Sequence, residues 1–341
     1  MSSDKYLKNC NFIKTILMLM VLVYHCAVFW TGRWFTCNPC IESSVLGHLA
    51  TWLDSIHVYG FALVSGYIFY HLRYETNRYD AFLPFIIKKA KRLIIPYFFV
   101  LFVWVVPLQV ALKGGYSLQD CVKDFILGFS PNQLWFLLML FWEFVIFYCL
   151  GNVLNKLGFT SYIIIVALYF IGLFGSNIIP NYFQIWRALT MAPIFGLGFM
   201  LRKQKYVIPS IPGVMWLVLQ IGSYIFLSWL EGSMALPGYI GRIVLLLKQG
   251  LGAFFIFNFL QVLANYVNWE NSLIFLQFKR KSMPIYLVHQ QLIYIPIILL
   301  NGIVHPLVHF TVNCVFSLLT SFVLSSVLLR WASTRMLIGE K

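Results

Sequence analysis

The sequence predicts an all-α integral membrane protein with about ten transmembrane helices and both termini in the cytoplasm. Of its 341 residues, 60% are hydrophobic and 11% are charged, and the mean hydropathy is +0.80. A soluble domain is usually about 45–50% apolar and roughly 25% charged, so this chain has too little charge for a fully water-exposed surface. A chain this apolar also has ample surface to bury, which excludes a disordered protein.

Ten apolar runs are separated by charged residues, prolines and glycines. At about 20 residues per span, the chain has room for roughly ten spans with short loops. The first run is longer than the apolar part of a signal peptide and lacks a small-residue cleavage motif, so we expect a retained helix. We expect a single transmembrane domain over 1–341, with its core at about 11–330 and no fused soluble domain. The runs lie near 11–30, 45–70, 93–112, 132–150, 160–176, 185–201, 208–230, 239–266, 282–301 and 305–330.

The basic residues decide the orientation of these helices. The net charge is +14, from 25 Lys and Arg against 11 Asp and Glu. With the N-terminus inside, 19 basic residues flank cytoplasmic ends and six flank outer ends, which is the bias expected of cytoplasmic loops. An even number of spans returns the C-terminus to the cytoplasm. We assign the positive excess to topology and anionic membrane lipid, and expect no nucleic-acid partner. The outer six are Arg33, Lys113, Lys123, Arg187, Arg242 and Lys248.

Placing an ionisable side chain at the centre of a membrane helix costs at least about 2.5–3.5 kcal/mol of free energy. Such a residue is therefore expected where function or packing requires it. His25 is such a group, and we expect it in the outer half of the first run. Lys14 precedes it by 11 residues, about 16 Å along a helix, and is expected near the inner face. A histidine that only packs and forms hydrogen bonds is the alternative.

Other polar side chains occur in later runs. Ser65 and Tyr67 flank Gly66 in the second run, where small residues also permit close helix packing. Tyr286 and His289 are three residues apart in the ninth run and therefore share one face, expected near its inner half.

Trp135 and Glu143 lie in the fourth run. A tryptophan at a membrane edge is ordinary. A carboxylate two turns deeper requires a partner, and the sequence offers Lys248 and Arg242 as candidates for Glu143.

A basic run lies on the inner side before the third apolar run. Its ordinary role is to fix orientation. The apolar residues at 81–87 indicate an interfacial helix that continues into the span. Clustered Lys and Arg at this place also suit a phosphate-rich cytoplasmic cofactor. The run comprises Lys88, Lys89, Lys91 and Arg92.

Cys37 and Cys40 form a Cys-x-x-Cys motif in the first outer loop, which favours either a small disulfide or two thiols. No metal site is expected, because the nearest further zinc ligand, His48, has no fourth ligand beside it. Glycine-rich phosphate loops and a Gly-x-Ser-x-Gly motif are absent, which excludes the soluble enzyme classes that use them.

Taken together, these features resemble acyltransferase family 3, membrane proteins that mostly O-acylate bacterial surface carbohydrates. Nearly the whole chain takes part, with the segments in the family's order. Lysine stands at several places where the family has arginine, which keeps the charge but loses the bidentate fork. The matching segments are Lys14 and His25 (basic-x10-His), Phe61 to Tyr67 (Phe-x3-Ser-Gly-Tyr), Arg92 to Pro96, Leu134 to Leu137, and Ser282 with Tyr286 and His289.

The resemblance implies an enzyme of the bacterial cytoplasmic membrane that uses an acyl-CoA, most often acetyl-CoA, and no metal. The acceptor is a hydroxyl of a surface polysaccharide or of its lipid-linked precursor. It implies that His25 is the catalytic residue, as general base or transient acyl carrier, and we favour the base because imidazole titrates near neutrality. The expected donor-binding residues are Lys14, Lys88, Lys89, Lys91 and Arg92. The expected tunnel residues are Ser65, Tyr67, Trp135, Glu143, Tyr286 and His289.

Two alternatives stay open. The first is a succinyltransferase of the same family, which an additional cation near the thioester would favour. The second is a transporter or flippase of a lipid-linked sugar or acyl donor, in which buried His and Glu relay protons or contact substrate.

Overall fold

A computed structural model describes residues 3–33, 37–113, 117–233 and 237–340. Within these ranges the chain forms helices and no strand, which confirms the all-α fold. Lys341, one of the basic residues assigned to the cytoplasm, lies outside the described residues. The α-helices are α1 (Ser3–Ala27), α2 (Ser44–Asp54), α3 (His57–Tyr70), α4 (Phe82–Val100), α5 (Val106–Lys113), α6 (Leu118–Cys121), α7 (Trp135–Lys156), α8 (Thr160–Ile178), α9 (Ile185–Lys203), α10 (Gly213–Ser233), α11 (Gly238–Tyr266), α12 (Leu273–Leu300), α13 (Pro306–Leu328) and α14 (Ala332–Leu337).

Eight stretches of the described chain are long and apolar enough to cross a membrane, and they coincide with eight of the ten predicted runs. The run expected at 45–70 is instead two shorter helices, α2 and α3, because the chain breaks at Ser55 and Ile56. The run expected at 185–201 is α9, whose terminal Arg187 and Arg202 make it less apolar. The helices indicate a multi-pass membrane protein, while the count of ten and the orientation stay predictions.

The helices form two compact units, each assembled from separate stretches of the chain. The first unit contains Met1–Val21, Thr51–Asn77 and Pro193–Lys279, and within it α11 packs against both α3 and α10. The second contains Leu22–Ala50, Arg78–Ala192 and Arg280–Lys341, and within it α4 packs against α7. The single-domain organisation expected from the sequence stays a prediction.

Two glycines allow α3 and α9 to approach closely in the first unit. A Cβ atom on Gly66 would lie 1.9 Å from the carbonyl oxygen of Phe195, and one on Gly198 would lie 1.8 Å from that of Leu63. No side chain fits at such distances, so both positions require glycine for helix packing. Helix packing therefore accounts for the glycine of the Ser-Gly-Tyr segment.

We expect Gly66→Ala to destabilise the folded protein by at least about 1–3 kcal/mol, because the added methyl group forces the α9 backbone away. The measurement is thermal unfolding in detergent, with the yield of monodisperse protein. Gly222→Ala in α10 is the matched control, since nothing lies within 4 Å of a Cβ atom there. Equal melting temperatures for the two variants would contradict the close packing.

Candidate active site

His25 and His289 face each other within the second unit. The Nδ1 atom of His25 lies 3.1 Å from Nε2 of His289, and the ring centroids are 4.9 Å apart with the planes at 69°. His25 occupies the last turn of α1, and His289 is buried near the middle of α12. The fold thus joins two histidines of the predicted site in one hydrogen bond.

The backbone of α12 determines which nitrogen of His289 carries its proton. The Nδ1 atom lies 2.8 Å from the carbonyl oxygen of Tyr286 and 3.1 Å from that of Ile285. A carbonyl oxygen only accepts hydrogen bonds, so Nδ1 is the protonated nitrogen and Nε2 of neutral His289 is an acceptor. His25 then donates from Nδ1 and carries its lone pair on Nε2. In this tautomer His25 is oriented as a proton acceptor.

An amide network fixes the segment before α7 to α12. Gln133 and Gln291 exchange two hydrogen bonds through their side-chain amides, at 2.9 and 3.0 Å. The backbone N–H of Gln133 donates to Oε1 of Gln290 at 3.1 Å, and the Tyr286 hydroxyl donates to the Gln133 carbonyl oxygen. All three glutamines are buried. The network holds the Tyr286 hydroxyl in place, one turn from His289.

Trp135 begins α7, two residues after Gln133, and is half-buried. The guanidinium carbon of Arg187 lies 4.3 Å from the centroid of the Trp135 ring. This is a close cation–π contact. Trp135 therefore has a specific partner in addition to the membrane-edge position that the sequence predicts.

A buried polar stripe runs along α13, and its residues recur at every fourth position. Their side chains are 2% exposed or less, and a spacing of four places them on one helix face. Ser317 donates to the carbonyl oxygen of His289 at 3.1 Å. Sequence analysis missed the stripe, although its period is visible in the sequence. The stripe comprises His309, Asn313, Ser317, Ser321 and Ser325.

The four basic residues of α4 have different surroundings. Lys88, Lys91 and Arg92 are exposed and, at spacings of three and four residues, share one helix face. The ammonium group of Lys89 lies 3.3 Å from the centroid of the Phe144 ring, whereas that of Lys88 is 5.3 Å from the centroid of the Tyr79 ring. Three of the four predicted donor-binding cations in this run are thus open to a ligand.

Tyr67 belongs to a cluster around Arg202 in the first unit. Arg202 is 2% exposed and binds Glu75 with two hydrogen bonds, from Nε to Oε1 at 2.8 Å and from Nη2 to Oε2. Its Nη1 atom donates to the Tyr67 hydroxyl at 3.3 Å. The Nδ1 atom of His71 lies 2.7 Å from Glu75 Oε2 and donates to it, because a carboxylate only accepts.

The Glu75 carboxyl group is ionised in this cluster. Burial alone would raise its pKa, but the hydrogen bonds from Arg202 and His71 outweigh burial and hold the pKa below its usual value. Glu75 and His71 were not among the predicted site residues, and Arg202 was one of the 19 basic residues assigned to cytoplasmic ends. Glu75 and Arg202 are 127 residues apart, so no local pattern indicates their pairing.

The remaining predicted site residues of this unit are Lys14 and Ser65, and both are half-buried. Lys14 lies on α1, which continues without a break to His25. The prediction that one helix carries the basic-x10-His signature is therefore confirmed. Ser65 precedes the close-packed Gly66 on α3.

Glu143 does not form either of the ion pairs that the sequence offers. It is fully buried in α7, and neither carboxylate oxygen has a hydrogen-bond partner among the described residues. Lys248 forms an ion pair with Glu231. Lys248, one of the two candidate partners, has its carboxylate on α10, which packs against α11.

The start of the ninth run differs from the prediction, while the position of Tyr286 and His289 near the inner side stays a prediction. Helix α12 begins at Leu273, nine residues before the predicted start of the ninth run at 282. Tyr286 and His289 are therefore the 14th and 17th of its 28 residues, near the middle of the helix. The helix begins earlier than the apolar run because it includes the basic residues 279–281, and Lys and Arg are good helix formers.

No disulfide joins Cys37 and Cys40 in the structure. The side chain of Asn301 holds their loop instead. Its Nδ2 donates to the carbonyl oxygen of Asn38 at 3.0 Å, and its Oδ1 accepts from the N–H of Cys40 at 2.9 Å.

Comparison with known proteins agrees with the motifs. No curated protein and no solved structure gave a significant match to the chain. The model of one family, described as an acyltransferase domain (Acyl_transf_3), matches residues 7–326, which is nearly the whole chain. The match includes the histidine pair, the basic face of α4 and the Arg202 cluster, and it confirms the family that the sequence motifs resemble. The chain therefore belongs to acyltransferase family 3 and is a membrane acyltransferase.

Proposed function

We propose that the protein transfers an acetyl group from cytoplasmic acetyl-CoA to a hydroxyl of a cell-surface or lipid-linked carbohydrate. The observation that carries this proposal is the hydrogen bond between His25 and His289 in a chain of acyltransferase family 3. We place the reaction in the bacterial cytoplasmic membrane, with both termini inside.

His25 acts as the general base in this mechanism. Its Nε2 atom takes the proton of the acceptor hydroxyl while the hydroxyl oxygen attacks the thioester carbon. The His25 cation keeps its Nδ1–H bond to His289, which stabilises the positive charge. When the tetrahedral intermediate collapses, the carbon–sulfur bond breaks and the CoA sulfur receives the proton from His25. Both histidines are then neutral again, and the products are an acetyl ester and CoA.

The exposed face of α4 would bind the nucleotide end of the donor. Lys88, Lys91 and Arg92 share this face, and Arg92 contributes the planar fork that suits phosphate. Lys89 adds charge from its position against Phe144. Lys14 lies about 16 Å before His25 on α1, a distance that an extended pantetheine arm covers.

Trp135 and Tyr286 are the tunnel residues that the geometry favours most. The glutamine network fixes the hydroxyl of Tyr286, a residue one helical turn before His289. Trp135, at the start of α7, follows Gln133 by two residues. Ser65, Tyr67 and Glu143 stay predictions as tunnel residues. Tyr67 already has a partner in Arg202.

The test follows acyl groups directly. Membranes that contain the protein are supplied with acetyl-CoA, and alkali-labile acyl groups on carbohydrate and released CoA thiol are both quantified. We expect acetyl ester and CoA to appear in equal amounts, above membranes without the protein. Mass spectrometry separates acetyl from succinyl, so succinyl transfer would retain the enzyme class and replace the donor. Carbohydrate movement without CoA release would favour a transporter.

A further inference from the structure

We propose that Arg202 and His71 bind a phosphate group of the acyl donor, and that Glu75 competes with this phosphate for the same hydrogen-bond donors. The inference rests on the proposed use of acyl-CoA and extends it to a second group of residues, in the first unit.

The donors around Glu75 have the arrangement that a phosphate requires. Two N–H groups of Arg202 and one of His71 converge on the two carboxylate oxygens, at 2.8 Å for the Arg202 Nε bond and 2.7 Å for the His71 bond. Arginine forks of this kind bind carboxylate and phosphate with the same bidentate geometry. A phosphate would gain charge over a carboxylate and keep all three donors.

The surroundings of Arg202 carry more positive than negative charge. The segments 71–77 and 200–206 contain four Lys and Arg residues, and Glu75 is their one acidic residue. A surplus of cations with one exchangeable carboxylate favours a ligand of two or more negative charges. The four basic residues are Arg73, Arg202, Lys203 and Lys205.

The ion pair with Glu75 does not by itself explain why an arginine is buried at this position. Removing two charges from water cancels most of their attraction, so such a pair adds little stability compared with apolar residues of similar size. Tyr67 additionally orients the guanidinium group through Nη1. A guanidinium group held in one orientation is suited to binding a ligand. The tyrosine of the Ser-Gly-Tyr segment would then have the role of orienting Arg202 toward its ligand.

The position of Glu75 allows its side chain to leave the Arg202 guanidinium group. Its side chain is 29% exposed, whereas that of Arg202 is 3% exposed. It ends a π-helical turn, His71–Glu75, which is directly followed by non-helical chain. Single π-turns are frequent at functional sites. A rotation of the Glu75 side chain toward solvent would release the Arg202 fork without displacing α9.

The test measures calorimetric binding of CoA and of pantetheine, which lacks the phosphates, to purified protein in detergent. We expect Glu75→Gln to bind CoA about tenfold more tightly than wild type, since it removes the competing charge, and to leave pantetheine unchanged. The double variant Arg202→Gln with Glu75→Gln leaves no buried charge unpaired, and we expect it to fold and to bind CoA about tenfold more weakly than wild type. Glu270→Gln is the matched control, because Glu270 is an exposed carboxylate paired with Lys8, and its CoA affinity should equal that of wild type.

The outcomes separate this inference from the proposed function. If wild type binds CoA and Glu75→Gln binds it equally or more weakly, Glu75 only supports the fold and the inference is overturned. If wild type binds no CoA, the proposed donor is wrong, and the proposed phosphate site is overturned as well. Phosphatidylglycerol is added in a further arm. If it binds in a Glu75-dependent way and CoA does not displace it, the phosphate belongs to lipid and the inference is overturned.

Discussion

Acyl transfer should fall by about 100-fold to 10,000-fold when His25 is replaced by alanine, the range that positioned general bases contribute. The hydroxyl of the acceptor would then have to attack the thioester without losing its proton to a base. The measurement compares alkali-labile acetyl groups on carbohydrate in cells that hold equal amounts of wild-type and His25→Ala protein in their membranes.

His48→Ala is the matched control for His25→Ala. His48 is an exposed histidine on α2, and its replacement should leave acylation at the wild-type level. If His25→Ala acylates as well as wild type, His25 is only a packing residue. His289 and the transporter alternative would then be examined first.

Replacement of His289 by leucine should lower kcat by about 100-fold while the KM for acetyl-CoA stays within twofold of wild type, as expected when a base loses the group that fixes its tautomer. Without the acceptor at Nε2, His25 is free to rotate or to carry its proton on the wrong nitrogen. His289 is thus a positioning residue, since it acts through His25. The measurement is steady-state kinetics of purified protein with a soluble hydroxyl acceptor.

His289→Gln separates positioning from simple loss of packing. The Oε1 atom of glutamine can accept the Nδ1–H bond of His25 close to the position of the lost Nε2 atom. We therefore expect glutamine to recover at least about tenfold in kcat over leucine. Equal kcat values for the two variants would show that the hydrogen bond in the structure has no part in catalysis.

Helix content and the basic-x10-His signature were predictable from the sequence because both depend on local spacing. An apolar run of sufficient length forms a helix in a membrane, and 11 residues along that helix separate Lys14 from His25 whatever surrounds it. The contact between His25 and His289 joins residues 264 positions apart. Neither apolar run reveals how its helix is rotated about its axis, so the two histidines were predicted for one tunnel but not for one hydrogen bond.

The errors have the same origin. Lys248 and Arg242 were the candidate partners of Glu143 because each residue looked unpaired in its own run, yet Lys248 pairs with a carboxylate on the neighbouring α10. Arg202 was explained by topology because a basic residue at a helix end needs no further explanation. Its burial and its bidentate contact with Glu75 are properties of the folded unit, and no local pattern in the sequence indicates them.

The polar stripe of α13 also has a consequence for biogenesis. A helix released alone from the translocon would turn His309, Asn313 and the three serines toward acyl chains, where polar groups lack partners. In the folded protein the second unit covers that face, where Ser317 donates to the His289 carbonyl oxygen and His309 packs against the Trp30 ring. Insertion of α13 beside these helices would therefore cost less free energy than insertion of α13 alone.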